Sequence, residues 1–174
     1  MNRTTIGATV ALAAASLMLF GLTSSSSATS TAARGAATCY GQSPTITGTG
    51  GVDPINGTAG DDVIMAFAGA DIISSRGGND TICAGAGADV VRAGADDDRV
   101  RGAVGADVIR GGRGADRVGG LVGADVIRGD AGPDVLRGGG DDDTIRGGRG
   151  ADRITGGSGF DTCRSPKQAP GCEN

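Results

Sequence analysis

An aspartate stands at every ninth residue of this chain: Asp53, Asp62, Asp71, Asp80, Asp89, Asp98, Asp107, Asp116, Asp125, Asp134, Asp143, Asp152 and Asp161. No insertion interrupts the series. Glycine stands two residues before each aspartate, with Asp96 and Asp141 the only exceptions. Carboxylates beside glycine-rich backbone are hard oxygen donors, and calcium takes roughly six to eight such oxygens from carboxylates and carbonyls at about 2.3 to 2.6 Å. All thirteen aspartates are therefore candidate metal ligands. An aspartate in a turn also has a purely structural use, accepting hydrogen bonds from the backbone amides of its own turn. That use competes most evenly at Asp53, which opens the series beside Pro54.

The elements that must hold these carboxylates follow from the same spacing. Two residues after each aspartate comes Ile, Val or Leu, from Ile55 to Ile154, and finally Cys163. Residues 48–164 are thus thirteen nonapeptides of the form G-x-x-G-x-D-x-U-x, with U aliphatic. A fixed short period specifies a solenoid in which each unit buries its apolar residue against its neighbours. Nine residues are too few for a helix pair. Glycines at the first and fourth positions offer conformations closed to other residues, so positions one to six read as a turn. Positions seven to nine read as a short strand with its eighth side chain inward and its flanking ones outward.

Stretches such as Gly138-Gly139-Gly140-Asp141-Asp142-Asp143-Thr144-Ile145-Arg146 and Gly111-Gly112-Arg113-Gly114-Ala115-Asp116-Arg117-Val118 resemble the RTX, or haemolysin-type, calcium-binding repeat. The resemblance implies an all-β chain: a parallel β-roll in which two nonapeptides make one eighteen-residue coil, with calcium in the turns. Six and a half such coils would be roughly 31 Å long at about 4.8 Å each. With repeats n and n+2 stacked, each ion is expected to be shared between adjacent coils. Thirteen repeats then offer at most eleven sites.

Composition limits the alternatives. The chain has 174 residues with 35 Gly, no His, no Trp and one Tyr, so a His-containing catalytic triad is excluded and an ordinary globular core lacks bulk. Met1-Asn2-Arg3-Thr4-Thr5, an apolar run from Ile6 to Leu22 and small residues beyond read as a signal peptide over residues 1–28, with cleavage after Ala28 or as late as Ala37. The expected product is secreted and extracellular, without a membrane span, in a compartment where thiols oxidise. Its parts are an N-terminal cap at 38–47, the roll at 48–164 and a C-terminal cap at 165–174. Cys163 fills the inward position of the last repeat and Cys172 lies nine residues on, so these two are expected to close the open end. That leaves Cys39 with Cys83. In strict register this pair would be about 10 Å apart, out of reach unless the N-terminal segment folds back along the side.

The outward positions separate two faces. One sheet carries Ile72, Val90, Val108 and Val126 beside a column of Arg92, Arg110, Arg128, Arg146 and Arg164. The other is irregular, with Val63, Thr81, Arg99, Arg117, Val135 and Arg153. An apolar column is what in-register packing favours by itself. The alternative is a contact face for self-association or for an anionic polysaccharide. Residues 48–164 hold nineteen Asp and thirteen Arg, a net charge of minus six that eleven calcium ions would turn to plus sixteen, so fewer ions than eleven are expected, with the richest sites near Asp96-Asp97-Asp98 and Asp141-Asp142-Asp143. The functional expectation is a non-enzymatic, secreted calcium-binding module with a structural or adhesive role. Its competitors are a metal-poor scaffold for an anionic glycan and an accessory roll of a toxin or enzyme, for which the repeats leave no catalytic domain. The acidic balance weighs against nucleic acid.

Overall fold

The computed structural model describes residues 37–165. The expected signal peptide and most of the C-terminal cap lie outside them. Fourteen strands form two seven-stranded parallel sheets, as the repeat pattern and the RTX resemblance predict. The first strands are short: β1 (Ile46–Thr47), β2 (Pro54–Asn56), β3 (Val63–Met65) and β4 (Ile72–Ser74). Six-residue strands follow, β5 (Thr81–Ala86), β6 (Val90–Ala95), β7 (Arg99–Val104), β8 (Val108–Arg113) and β9 (Arg117–Val122). Then come β10 (Val126–Ala131), β11 (Val135–Gly140), β12 (Thr144–Arg149), β13 (Arg153–Ser158) and a three-residue β14 (Thr162–Arg164). Odd strands make one sheet and even strands the other. Each residue pairs with the one eighteen positions away, as Val126 does with Val108 and Thr144.

The core is the eighth-position column. Ile64, Ile73, Ile82, Val91, Val100, Ile109, Ile127 and Leu136 are fully buried between the sheets. Two features of the repeat differ from the expectation. The long strands run on through positions one to three of the next nonapeptide, and position one also points inward, where Ala66, Ala84 and Ala93 are buried. Gly102 holds this place without a positive φ. A Cβ there would collide with the Asp107 carboxylate, so the first glycine answers to lack of room. The left-handed backbone falls instead at positions two and four, as at Gly85 (φ 120°) and Gly87 (φ 141°).

The N-terminal segment does fold back. Cys39 and Gln42 exchange backbone hydrogen bonds of 3.0 Å around Tyr40-Gly41, and β1 extends the odd sheet by one strand. Cys39 is bonded to Cys83 with their Cα atoms 5.8 Å apart. The Tyr40 ring lies 3.8 Å from the Arg99 guanidinium and 4.6 Å from that of Arg101, a cation–π contact on the odd sheet's outer face. Cys163 is also disulfide-bonded. Its expected partner Cys172 lies outside the described residues.

Candidate metal-binding turns

Each aspartate sits at the exit of a turn, just before a strand, and twelve of the thirteen are buried, Asp53 being the half-exposed exception. The carboxylates form two ladders, one along each edge of the roll. In each, the backbone N–H of one aspartate donates to Oδ1 of the aspartate in the following coil. One runs from Asp53 through Asp71, Asp89, Asp107, Asp125 and Asp143 to Asp161, at 2.8 to 3.0 Å. The other runs from Asp62 through Asp80, Asp98, Asp116 and Asp134 to Asp152, at 2.8 to 3.1 Å.

Oδ1 is thus spent on protein, but Oδ2 is not. From Asp71 to Asp152 ten successive Oδ2 atoms are buried with no hydrogen-bond partner. Leaving a buried carboxylate oxygen unpaired costs several kcal/mol unless a cation or proton answers it. The carboxylates respond as this requires. Burial, above all, pushes Asp98, Asp107 and Asp134 up to about 7, against the partial relief of the backbone hydrogen bond each receives. Asp116 and Asp143 rise to about 6 for the same reason, and Asp80, Asp89 and Asp125 are raised as well.

Beside the orphaned oxygens of Asp107 to Asp152 a position-one glycine leaves a cradle, whereas beside those of Asp71, Asp80, Asp89 and Asp98 the place is filled by Ala66, Ser75, Ala84 and Ala93. A Cβ built at Gly129 would meet Asp134 Oδ2 and, at 2.7 Å, the carbonyl oxygen of Gly147 in the next coil; one built at Gly138 would meet Asp143 Oδ2 and the Gly156 carbonyl at 2.7 Å. Carboxylate and carbonyl oxygens converging where no side chain fits are a hard-cation donor set. Among the described residues no three acidic, Cys or His side chains converge on one point, so carbonyls must complete any coordination shell. The donors fit calcium. Asp71 to Asp152 would supply the charged oxygens and the turn carbonyls the neutral ones.

The first two turns are built differently. Thr49 and Thr58 stand at position two, and Asp53 Oδ2 accepts from the Thr49 N–H at 2.6 Å and its hydroxyl at 2.9 Å. Asp62 Oδ2 accepts the same pair from Thr58, at 2.7 and 3.0 Å. Neither turn has a residue of positive φ. These aspartates already have the partners that the inner ones lack. The sequence carried the signal, a hydroxyl residue right after the first glycine of the repeat, at positions not singled out as functional. Within the acidic runs Asp98 and Asp143 belong to the orphaned series, and their neighbours are engaged otherwise. Asp97 and Asp142 lie at exposed turn tips, where Oδ1 accepts from Ala115 N–H at 2.7 Å and Phe160 N–H at 2.8 Å.

The suspected contact face is present as columns on the even sheet. Ile72, Val90, Val108 and Val126 are successive partners, and so are Arg92, Arg110, Arg128, Arg146 and Arg164. Arg110 meets Asp130 at 3.1 Å. Arg128, Arg146, Arg149 and Arg164 line a groove of about 630 Å³. Arg110–Asp130 is the only ion pair among the described residues.

Eighteen-residue coils, turn-edge carboxylate ladders and orphaned oxygens define a calcium-type β-roll. The model of the RTX calcium-binding nonapeptide repeat matches the chain in four copies, at residues 47–82, 84–118, 119–154 and 128–163, and the chain belongs to that family. It is a calcium-binding repeat protein. Comparison with curated proteins found no match.

Proposed function

We propose that the protein is a secreted, non-catalytic calcium-binding roll with a structural or adhesive role, whose turns take up calcium in the extracellular medium. The observation that carries this reading is the run of ten buried Oδ2 atoms without partners. The residues proposed to hold calcium are Asp71, Asp80, Asp89, Asp98, Asp107, Asp116, Asp125, Asp134, Asp143 and Asp152. Asp161 closes one ladder at the C-terminal end, while Asp53 and Asp62 hold their turns through threonine. Secretion is supported by the N-terminal apolar run and by the bonded cysteines. Calorimetric titration with calcium, followed in parallel by circular dichroism, tests the reading. Several ions per chain with a gain of β signal are expected, and no bound ion would overturn it.

A second reading, binding of an anionic polysaccharide, is favoured by the arginine column of the even sheet, in which Arg110 alone has a carboxylate partner among the described residues. Guanidiniums about 4.8 Å apart in a column repel one another, and the Debye length of about 8 Å screens neighbours incompletely. A linear acidic polymer along the roll axis would meet one arginine per coil. Changing Arg110 and Arg128 to Ser should then weaken binding to an acidic polysaccharide, as should added salt. No binding by the native protein at low salt would remove this reading and leave the calcium reading standing.

A further inference from the structure

The two edges of the roll differ chemically. Turns leading from the odd to the even sheet form one edge and the return turns form the other. Every exposed large apolar side chain among the described residues belongs to the first. At its centre Val104 is 55 %, Val122 54 %, and Leu121 and Val108 each 41 % exposed. Phe67 and Ile72 continue the line toward the N-terminus, and Val52 and Phe160 mark its two ends. Between them four successive turn tips are Ala70, Ala88, Ala106 and Ala124, all exposed, and the fifth is the exposed Asp142. From Phe67 to Val126 this edge shows solvent no charged side chain, since Asp71, Asp89, Asp107 and Asp125 are at most 1 % exposed. Over the same coils the return edge carries Arg76, Asp96, Asp97, Arg99, Arg113 and Arg117.

The apolar edge also departs from the repeat where it is most exposed. Position two is left-handed and is glycine at Gly85, Gly139 and Gly157, yet Ala103 (φ 100°) and Leu121 (φ 91°) hold it in the same column. L side chains avoid this conformation; the return edge holds it too, at Arg76 (φ 81°) and Asp130 (φ 75°), so the two edges differ in that the left-handed residues present hydrocarbon on one and charge on the other. We propose that this edge is a self-association surface whose occupant is the same edge of a second copy of the chain. Both sheet faces carry arginine and would oppose their own copies, whereas this edge, paired over the coils from Phe67 to Val126, meets its copy without like charge and leaves Asp141 and Asp142 outside the contact. A ridge repeating every coil also finds equal spacing in its own copy, and a two-fold arrangement closes the pair. Four coils at about 4.8 Å give a ridge only roughly 19 Å long. A ridge of that length and roughly one turn, about 10 Å, in width covers roughly 200 Å², well under the roughly 800 Å² per partner of a standard interface, so a reversible dimer results.

Sedimentation equilibrium of the purified protein in millimolar calcium, over a concentration series, tests the proposal. A monomer–dimer equilibrium is expected. The triple variant Val104→Thr, Leu121→Gly, Val122→Thr should raise the dimer dissociation constant at least about tenfold. Leu121→Gly restores the glycine of the repeat, so its thermal midpoint should not fall, and circular dichroism verifies that the variant is folded. A control, Arg117→Ser with Arg149→Ser on the return edge, should leave association unchanged. A native protein that stays monomeric near 1 mM overturns the proposal, even if it adsorbs to lipid vesicles. So does a control that weakens association as much as the triple variant.

Discussion

The first two turns and the ten that follow share one consensus and reach opposite electrostatic states. At Asp53 and Asp62 a threonine at position two turns its N–H and hydroxyl onto Oδ2, and the turn closes without left-handed residues. From Asp71 onward position two folds into the left-handed region, as at Phe67 (φ 76°) and Arg76 (φ 81°), the amide turns away, and Oδ2 is stranded. Threonine at position two thus goes with a satisfied carboxylate, and a left-handed residue there with an Oδ2 that has no partner. The difference teaches that one consensus aspartate can stand in two different hydrogen-bonding states.

The largest effect should come from removing calcium. Each ion bound only by the folded state adds about 2.7 kcal/mol at a hundredfold excess over Kd. Melting in chelator should therefore begin far below melting in millimolar calcium, or the chelated chain should lack a transition altogether. An unchanged midpoint would break the contrast, because the inner turns would then be as self-sufficient as the first two.

Single substitutions come next. Asp107→Ala should cost about 1 to 3 kcal/mol through the stranded Asp89 amide alone, plus the lost ion, whereas Asp53→Ala should cost about 1 kcal/mol, as loss of a capping group does. Asp107→Asn is sharper. It keeps an oxygen for the Asp89 amide and removes the buried charge, so it should lower stability in calcium without lowering it in chelator at pH 8. Denaturant melts of the three variants would show each loss unchanged by calcium if these carboxylates bind no metal.

A smaller effect is expected from pH. Asp98, Asp107 and Asp134 are raised to about 7 in the folded chain from an ordinary 3.8, so the calcium-free fold binds more protons than the unfolded chain between those values. This contribution is complete below pH 3.8 and is lost as pH rises through about 7. The chelated protein should melt higher at pH 5 than at pH 8. The opposite slope would mean that the orphaned oxygens have cationic partners within the chain. Smallest of all, Thr49→Gly with Thr58→Gly should change stability by about 1 kcal/mol or less while raising the calorimetric ion count. A constant count would show that threonine is not what keeps metal from the first turns.

Much of this was legible in the sequence. The nine-residue period fixed the inward column from Ile55 to Ile154, and the alternation of repeats separated the odd and even faces with Arg92 and Arg110 in register. The uses of glycine were less legible, because a glycine that needs a left-handed φ, as Gly87 does, and one that merely has no room, as Gly102, are the same letter. Thr49 and Thr58 looked like ordinary substitutions until the turn geometry brought their hydroxyls onto a carboxylate. The fold-back that joins Cys39 to Cys83 lies outside the period, where spacing carries no information.

That bond has a consequence for how the chain finds its fold. A lattice with one repeat is degenerate: sliding a strand by one coil restores nearly every ladder bond, and β7 could take the place of β5 with its aliphatic residue still inward. Only residues that break translational symmetry distinguish the frames. Slipped by one coil, Cys39 would face Arg101, the pairing partner of Cys83 in β7, and no covalent link could form. Enclosing residues 39–83, the disulfide acts as an index mark on an otherwise unnumbered scale, recording in a covalent bond which coil is the first.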